Sequence, residues 1–197
     1  MTAAGWIVAA LAAGVLMWAV AAYNGLVQRR NRIGNAFGQI DVQLKRRHDL
    51  VPNLVEVARR YLAHEASTLE AVTRARGAAV VAAQGARMQP ADAQAVAALA
   101  QAEQVLGGSL GRLLALAEAY PDLKADETMR ALSEELVSTE NRIGFARQAY
   151  NDEVLAYNDA ALRFPELLVA RLFGFAEAAM LQSTQGEHER QAPRVAF

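Results

Sequence analysis

IDVQLKRRHDLVPNLVE, residues 40–56, is the stretch on which the fold turns. Its apolar residues Ile40, Leu44, Val51 and Leu54 keep the three- and four-residue steps of a helix facing a core, and the phase passes unbroken across Pro52. One long helix would explain that stripe. A proline inside a helix costs about 3 kcal/mol, however, because it removes an N–H and crowds the carbonyl four residues back. Asp49 can instead cap a new helix, in whose first turn Pro52 needs no N–H. The second solution is favoured, and it predicts four antiparallel helices over 24–48, 50–84, 91–119 and 126–163. One long bent helix plus two others is the alternative.

The pattern extends in both directions. Upstream it begins at Ile33 and Phe37; downstream it continues through Ala58, Tyr61, Leu69, Val72 and Ala79. A further stripe runs Val96, Leu99, Leu106, Leu110, Leu113, Ala117, Tyr120, and the last runs Leu132, Leu136, Thr139, Ile143, Ala146, Tyr150, Val154, Tyr157, Ala161, Phe164. Such alternating steps form the seam of a left-handed bundle, so the fold class is all-α with an up-down arrangement. Gly85 to Pro90, Tyr120-Pro121-Asp122 and Phe164-Pro165 interrupt the stripes, and Asp126 is placed to cap the last helix.

No charge occurs before Arg29. Within that opening, Ala3 to Ala22 is apolar at nearly every position and long enough to cross a bilayer core. Trp6 and Tyr23 lie about 26 Å apart along a helix, the separation of the two headgroup regions. Arg29, Arg30 and Arg32 follow at once and are expected to contact headgroups, with the body on the cytoplasmic side of a bacterial inner membrane. The rival is a cleaved signal peptide ending at Ala19-Val20-Ala21; the absence of any basic residue before the apolar run speaks against it. The chain thus divides into an anchor (1–23), a helical bundle (24–175) and a polar tail (176–197) expected to be disordered. Leu168, Leu172 and Phe175 share one helical face after Pro165, which suits either a helix lying in the membrane interface or a lid over the bundle end.

Composition excludes several functions. There is no cysteine, hence no disulfide, thiolate metal site or cysteine nucleophile. Residues 29–76 carry ten Lys/Arg against five Asp/Glu, whereas the remainder is acidic, and the near-neutral total gives no support for nucleic-acid binding. His48, His64 and His188 form no Glu-x-x-His or His-Glu-x-x-His motif, so no di-metal or zinc site is expected. Gly107-Gly108-Ser109 follows no strand and reads as a soft spot in a helix, not a phosphate loop. The chain is therefore read as a non-enzyme without cofactor.

Two polar features remain. Tyr150-Asn151 and Tyr157-Asn158 repeat one heptad apart, and Tyr23-Asn24 stands at the foot of the first helix; Asn24, Asn151 and Asn158, with Tyr150 and Tyr157, are expected to fix helix register through buried hydrogen bonds. Arg46, Arg47 and Asn53 are expected to form an exposed patch for a protein partner, while Asp41 and Lys45 have the spacing of a helical ion pair. Small residues at Ala9, Ala13, Ala10 and Gly14 would allow anchors to associate, giving a homo-oligomer.

Residues 40–56, together with Tyr23-Asn24-Gly25-Leu26-Val27, Glu140-Asn141-Arg142-Ile143, Tyr150-Asn151, Tyr157-Asn158, Phe164-Pro165 and Leu172-Phe173-Gly174-Phe175, resemble the LemA family. The resemblance spans Ala22 to about Phe175 and implies a bacterial protein with one membrane helix and a mostly cytoplasmic bundle. It implies no particular reaction. Relatives encoded beside membrane proteases, and a branch that builds magnetosome membranes, point to membrane-side assembly. Gly34, Gly38 and the residues after Phe175 depart from the family pattern. The leading expectation is a membrane-tethered scaffold with lipid and protein partners, a membrane protease among the candidates. The alternative is a four-helix ligand-sensing domain outside the cytoplasm.

Overall fold

The computed structural model describes residues 2–62 and 64–181. These residues form six helices: α1 (Ala3–Tyr61), α2 (Ala66–Met88), α3 (Ala93–Ala119), the short α4 (Pro121–Ala125), α5 (Glu127–Leu162) and α6 (Glu166–Phe173). The protein is all-α, with a long apolar N-terminal helix leading into packed helices.

The break expected at Asp49 does not occur. Helix α1 runs 59 residues without interruption, about 88 Å, straight through Pro52. The chain reverses between the end of α1 and the start of α2 instead, so four helices still form the bundle but the first corner lies further along. Two interactions offset the proline. Pro52 has no N–H to give the His48 carbonyl, and Arg76 on α2 supplies the missing donor, its Nε lying 2.6 Å from that oxygen. Continuing the helix also keeps Val51, Leu54 and Ala58 at 1%, 1% and 0% exposure, each of the larger aliphatic side chains stabilising the fold by about 1.5–3 kcal/mol. Asp49, no longer a cap, is exposed.

The remaining corners follow local chemistry. Asp92 caps α3 by accepting from the Ala95 N–H at 2.8 Å, and Asp126 caps α5 as expected, accepting from Met129 at 2.9 Å. The Tyr61 hydroxyl donates to the same Asp126 carboxylate at 3.0 Å, joining the end of α1 to the start of α5. These donors, the Met129 N–H first, hold the Asp126 carboxyl below the usual carboxylate range.

Helix α1 packs on both α2 and α5, and α2 packs on α3. The apolar core is in two halves. The distal half gathers Val51, Leu54, Ala58, Leu69, Val72, Leu106, Leu113 and Leu136; the half nearer the apolar N-terminal segment gathers Ile33, Phe37, Ile40, Leu44, Leu99, Ile143, Tyr150 and Tyr157. A third cluster, Leu26, Ala160, Ala161, Val169 and Ala170, seats α6 against α1 and α5 at the foot of the bundle. The 18-residue window with mean hydropathy 2.0 at the start of α1 is wholly unburied, and among the described residues α1 alone is long and apolar enough to cross a membrane.

Replacing Arg76 by Met should lower the unfolding free energy by about 1–3 kcal/mol, because the His48 carbonyl is left without a donor. In a Pro52→Ala background the same change should cost much less, since the alanine's own N–H then serves that carbonyl. Equal losses in both backgrounds, read by denaturant unfolding of the detergent-solubilised chain, would show that Arg76 does not compensate the proline.

Candidate functional site

Between the two core halves lies a layer of polar side chains. Arg47, 7% exposed, projects from α1, donates through Nη1 to Glu103 on α3 at 3.0 Å and forms an ion pair through Nη2 with Glu140 on α5 at 3.2 Å. His48, 4% exposed, brings Nε2 to 2.7 Å from the other Glu103 oxygen. An ionised carboxylate only accepts, so the His48 proton sits on Nε2. One carboxylate thereby binds two consecutive residues of α1, and one guanidinium ties α1 to two other helices. Gly107 makes this possible: a Cβ there would stand 3.3 Å from Arg47 Nη2. Helix α3 runs unbroken through Gly107-Gly108-Ser109; Gly107 leaves room for the Arg47 guanidinium, whereas a Cβ at Gly108 would meet nothing within 4 Å.

Helices α3 and α5 stand apart beside this layer, and a half-open cleft of about 330 Å³ lies between them. Ile40, Leu44 and Arg47 form its floor, Glu103 and Gly107 one wall, Glu140, Ile143 and Arg147 the other, and Leu181 one end. The Arg47 Nε is buried without a partner. Among the described residues no group of three or more His, Asp or Glu converges as metal ligands would.

Leu181, at that end of the cleft, belongs to residues 176–181, assigned from sequence to the tail. After Gly174, which takes the left-handed conformation at φ 71° and ends α6, the chain turns back along α5. Asn158 accepts from the Ala178 N–H and donates to the Ala178 carbonyl, both at 2.9 Å; Asn151 does the same for Leu181 at 2.9 and 3.2 Å. Tyr157 donates to the Ala176 carbonyl at 2.9 Å, while the Tyr150 hydroxyl lies 2.9 Å from that of Ala179 and 2.7 Å from that of Pro90, sharing one proton between them. The heptad repeat thus has a metric cause. Seven helical residues rise about 10.5 Å and three extended ones about 10 Å, so each Tyr-Asn pair meets the strap three residues on. Burial pushes the Tyr150 hydroxyl up to about 12, which keeps it a donor.

Several sequence expectations are corrected by this geometry. Asn151, Asn158, Tyr150 and Tyr157 do not set register between helices; they grip the strap of residues 176–181, while Asn24 is exposed within α1. Arg47 is no exposed patch, because it is buried and doubly paired. Its neighbour Arg46 is exposed but engages Glu135 on α5 at 2.7 Å, and Asn53 is exposed. Asp41 pairs with Arg87 of α2 at 2.8 Å, not with Lys45. Of the basic cluster, Arg30 and Arg32 are exposed, whereas Arg29 is half-buried and reaches the Ala156 carbonyl at 3.4 Å. Arg76, Glu103 and Glu140 were not singled out; the only signal in the sequence is that buried Arg47 and His48, and the carbonyl freed by Pro52, must find partners.

The model describing the LemA family matches residues 36–197 of the chain. Among curated proteins, the magnetosome protein MamQ of Magnetospirillum gryphiswaldense is 28% identical over 168 residues, covering 78% of this chain and 62% of that relative. Magnetosome proteins MamQ 1 and MamQ 2 of Paramagnetospirillum magneticum are each 29% identical over 157 residues, covering 72% of this chain and 58% of theirs. The chain therefore spans about three fifths of the length of these relatives.

Two outcomes test the geometry. Glu103→Leu should destabilise by about 1–3 kcal/mol by leaving Arg47 Nη1 and His48 Nε2 without their acceptor, with Glu140 the one carboxylate left to Arg47, and adding Arg47→Met should recover part of that loss in the same unfolding assay; no recovery would mean that the pair is not coupled. Asn158→Leu should speed hydrogen exchange at residues 176–181 while protection in the α1–α5 core persists; unchanged exchange of the strap would remove the clasp.

Proposed function

The chain belongs to the LemA family, and on that premise we propose that it is a membrane-anchored, non-enzymatic scaffold that holds a helical bundle against the cytoplasmic face of the inner membrane. One observation carries the reading: the apolar opening and the first bundle helix are a single unbroken α1, so the body moves as one piece with whatever holds its first third. A cleaved leader would gain nothing from such continuity, and cleavage after Ala21 would remove Trp18 and Ala19 from their packing against the foot of the bundle. The orientation rests on Arg29, Arg30 and Arg32 following an opening without charge.

The buried polar chemistry supports a structural role. Arg47, His48 and Glu103 satisfy one another between helices, and the Tyr-Asn pairs are spent on main chain. The curated relatives are named after a cellular structure, not a reaction, which fits a part in membrane organisation. The partners proposed are lipid and protein, with a membrane protease and a second copy of the chain as candidates; quality control of membrane proteins is the second setting that fits such a scaffold.

Because the chain lacks cysteine, topology can be read with single substitutions. In intact cells a membrane-impermeant maleimide should label Thr2→Cys and spare Phe145→Cys on α5 until the membrane is opened. Labelling of Phe145→Cys in intact cells would overturn the cytoplasmic reading and favour the ligand-sensing alternative.

A further inference from the structure

Helix α6 lies beside the last turns of the apolar segment. Its inner face, Val169 and Ala170, packs in one cluster with Leu26 and is bordered by Trp18, Ala19 and Ala22. A span that begins at Ala3 exhausts a hydrocarbon core of about 30 Å near Ala22. The contacts of α6 therefore straddle the level at which α1 leaves the core. A bilayer crossed by α1 over this segment meets α6 as well.

The outer face of α6 is what such a meeting requires. Leu168 and Leu172, one turn apart, are 57% and 78% exposed, and Phe164 just before the helix is 74% exposed. Phe173, 57% exposed, keeps an edge-to-face contact with Tyr23 at 4.9 Å between ring centroids, so the aromatic belt of α1 continues onto α6. A contiguous apolar face of this kind is not left to water without a cause. Arg163 and Arg171 flank it, exposed, with side chains long enough to reach headgroups. The helix thus acts as a lid on the bundle with one face and leaves the other free.

We propose that α6 is a second membrane contact: a helix lying in the interface of the leaflet next to the bundle, with Phe164, Leu168 and Leu172 among the acyl chains and Arg163 and Arg171 at the headgroups. The inference rests on the reading that α1 spans the bilayer. It goes further, because two contacts fix the tilt and rotation of the body where a single span would leave it free to swivel.

The test uses the full chain in phosphatidylethanolamine–phosphatidylglycerol nanodiscs carrying nitroxide-labelled lipids. A polarity-sensitive dye is attached to one introduced cysteine at a time: Leu168→Cys and Leu172→Cys on α6, Leu11→Cys in mid-span, and Phe145→Cys on the bundle. Circular dichroism confirms the fold of each variant, and the two α6 positions serve as checks on one another. The proposal expects blue-shifted emission at 168 and 172, quenched by nitroxides near the headgroups, with Leu11→Cys quenched by deep nitroxides and Phe145→Cys by neither. Deep quenching at 11 with water-like emission at 168 and 172 overturns the proposal and leaves the span intact. Blue-shifted but unquenched emission there also overturns it, assigning the face to a protein or a second copy. Absence of quenching at 11 overturns the span itself, and this inference with it.

Discussion

A hydrogen bond from Arg76 to the His48 carbonyl, added to the burial of Val51, Leu54 and Ala58, offsets Pro52 within the unbroken α1. Proline at position 52 takes away that carbonyl's partner and would ordinarily divide the segment in two. With a guanidinium from α2 in place of the missing N–H, the helical phase from Ile33 to Ala58 continues and every apolar residue of the stripe stays on the core side. The position of the first corner, the length of the rod and the level of α6 all follow from that continuity.

The polar layer at Arg47 and His48 complements it. A buried ion pair is weak as a source of net stability, since desolvation consumes most of the attraction. Its cost when mispaired is large, however, and that makes it a register device. Two nearly featureless apolar halves, rich in alanine and leucine, could slide by a turn along one another; a carboxylate on α3 that must meet Arg47 and His48 together permits one alignment. Register was expected from the asparagines and comes instead from this cluster. Arg46, Arg47 and Asn53 read from sequence as an exposed patch; in three dimensions Arg47 and His48 are the point where α1, α2, α3 and α5 are tied.

Most of the architecture was legible. The stripes gave the helices, Asp126 gave a cap, and the uncharged opening gave the apolar span, because each depends on residues close in sequence. What escaped depends on distant partners. Nothing near Pro52 announces Arg76, and nothing near Arg47 announces Glu103 or Glu140, so the proline looked too costly and the arginine looked solvated. The Tyr-Asn repeat was visible, yet its meaning required a strap from residues 176–181, whose small side chains carry no periodic signal. Asparagine amides bind main chain and are indifferent to the side chains they hold, which is why the held segment left no signature.

The apolar segment, bundle, α6 and strap are connected. The strap is fixed to α5, α5 packs on α1, and α1 continues into the apolar segment that α6 also borders. The continuity of α1 can be measured directly with spin labels on Gln28→Cys and Glu70→Cys, both exposed, in the otherwise cysteine-free chain. A helix that passes Pro52 and turns only after Tyr61 puts these sites about 40 Å apart. A chain that turned back at Asp49 would bring them side by side, at the roughly 10 Å spacing of neighbouring helices, and that distance would contradict the account.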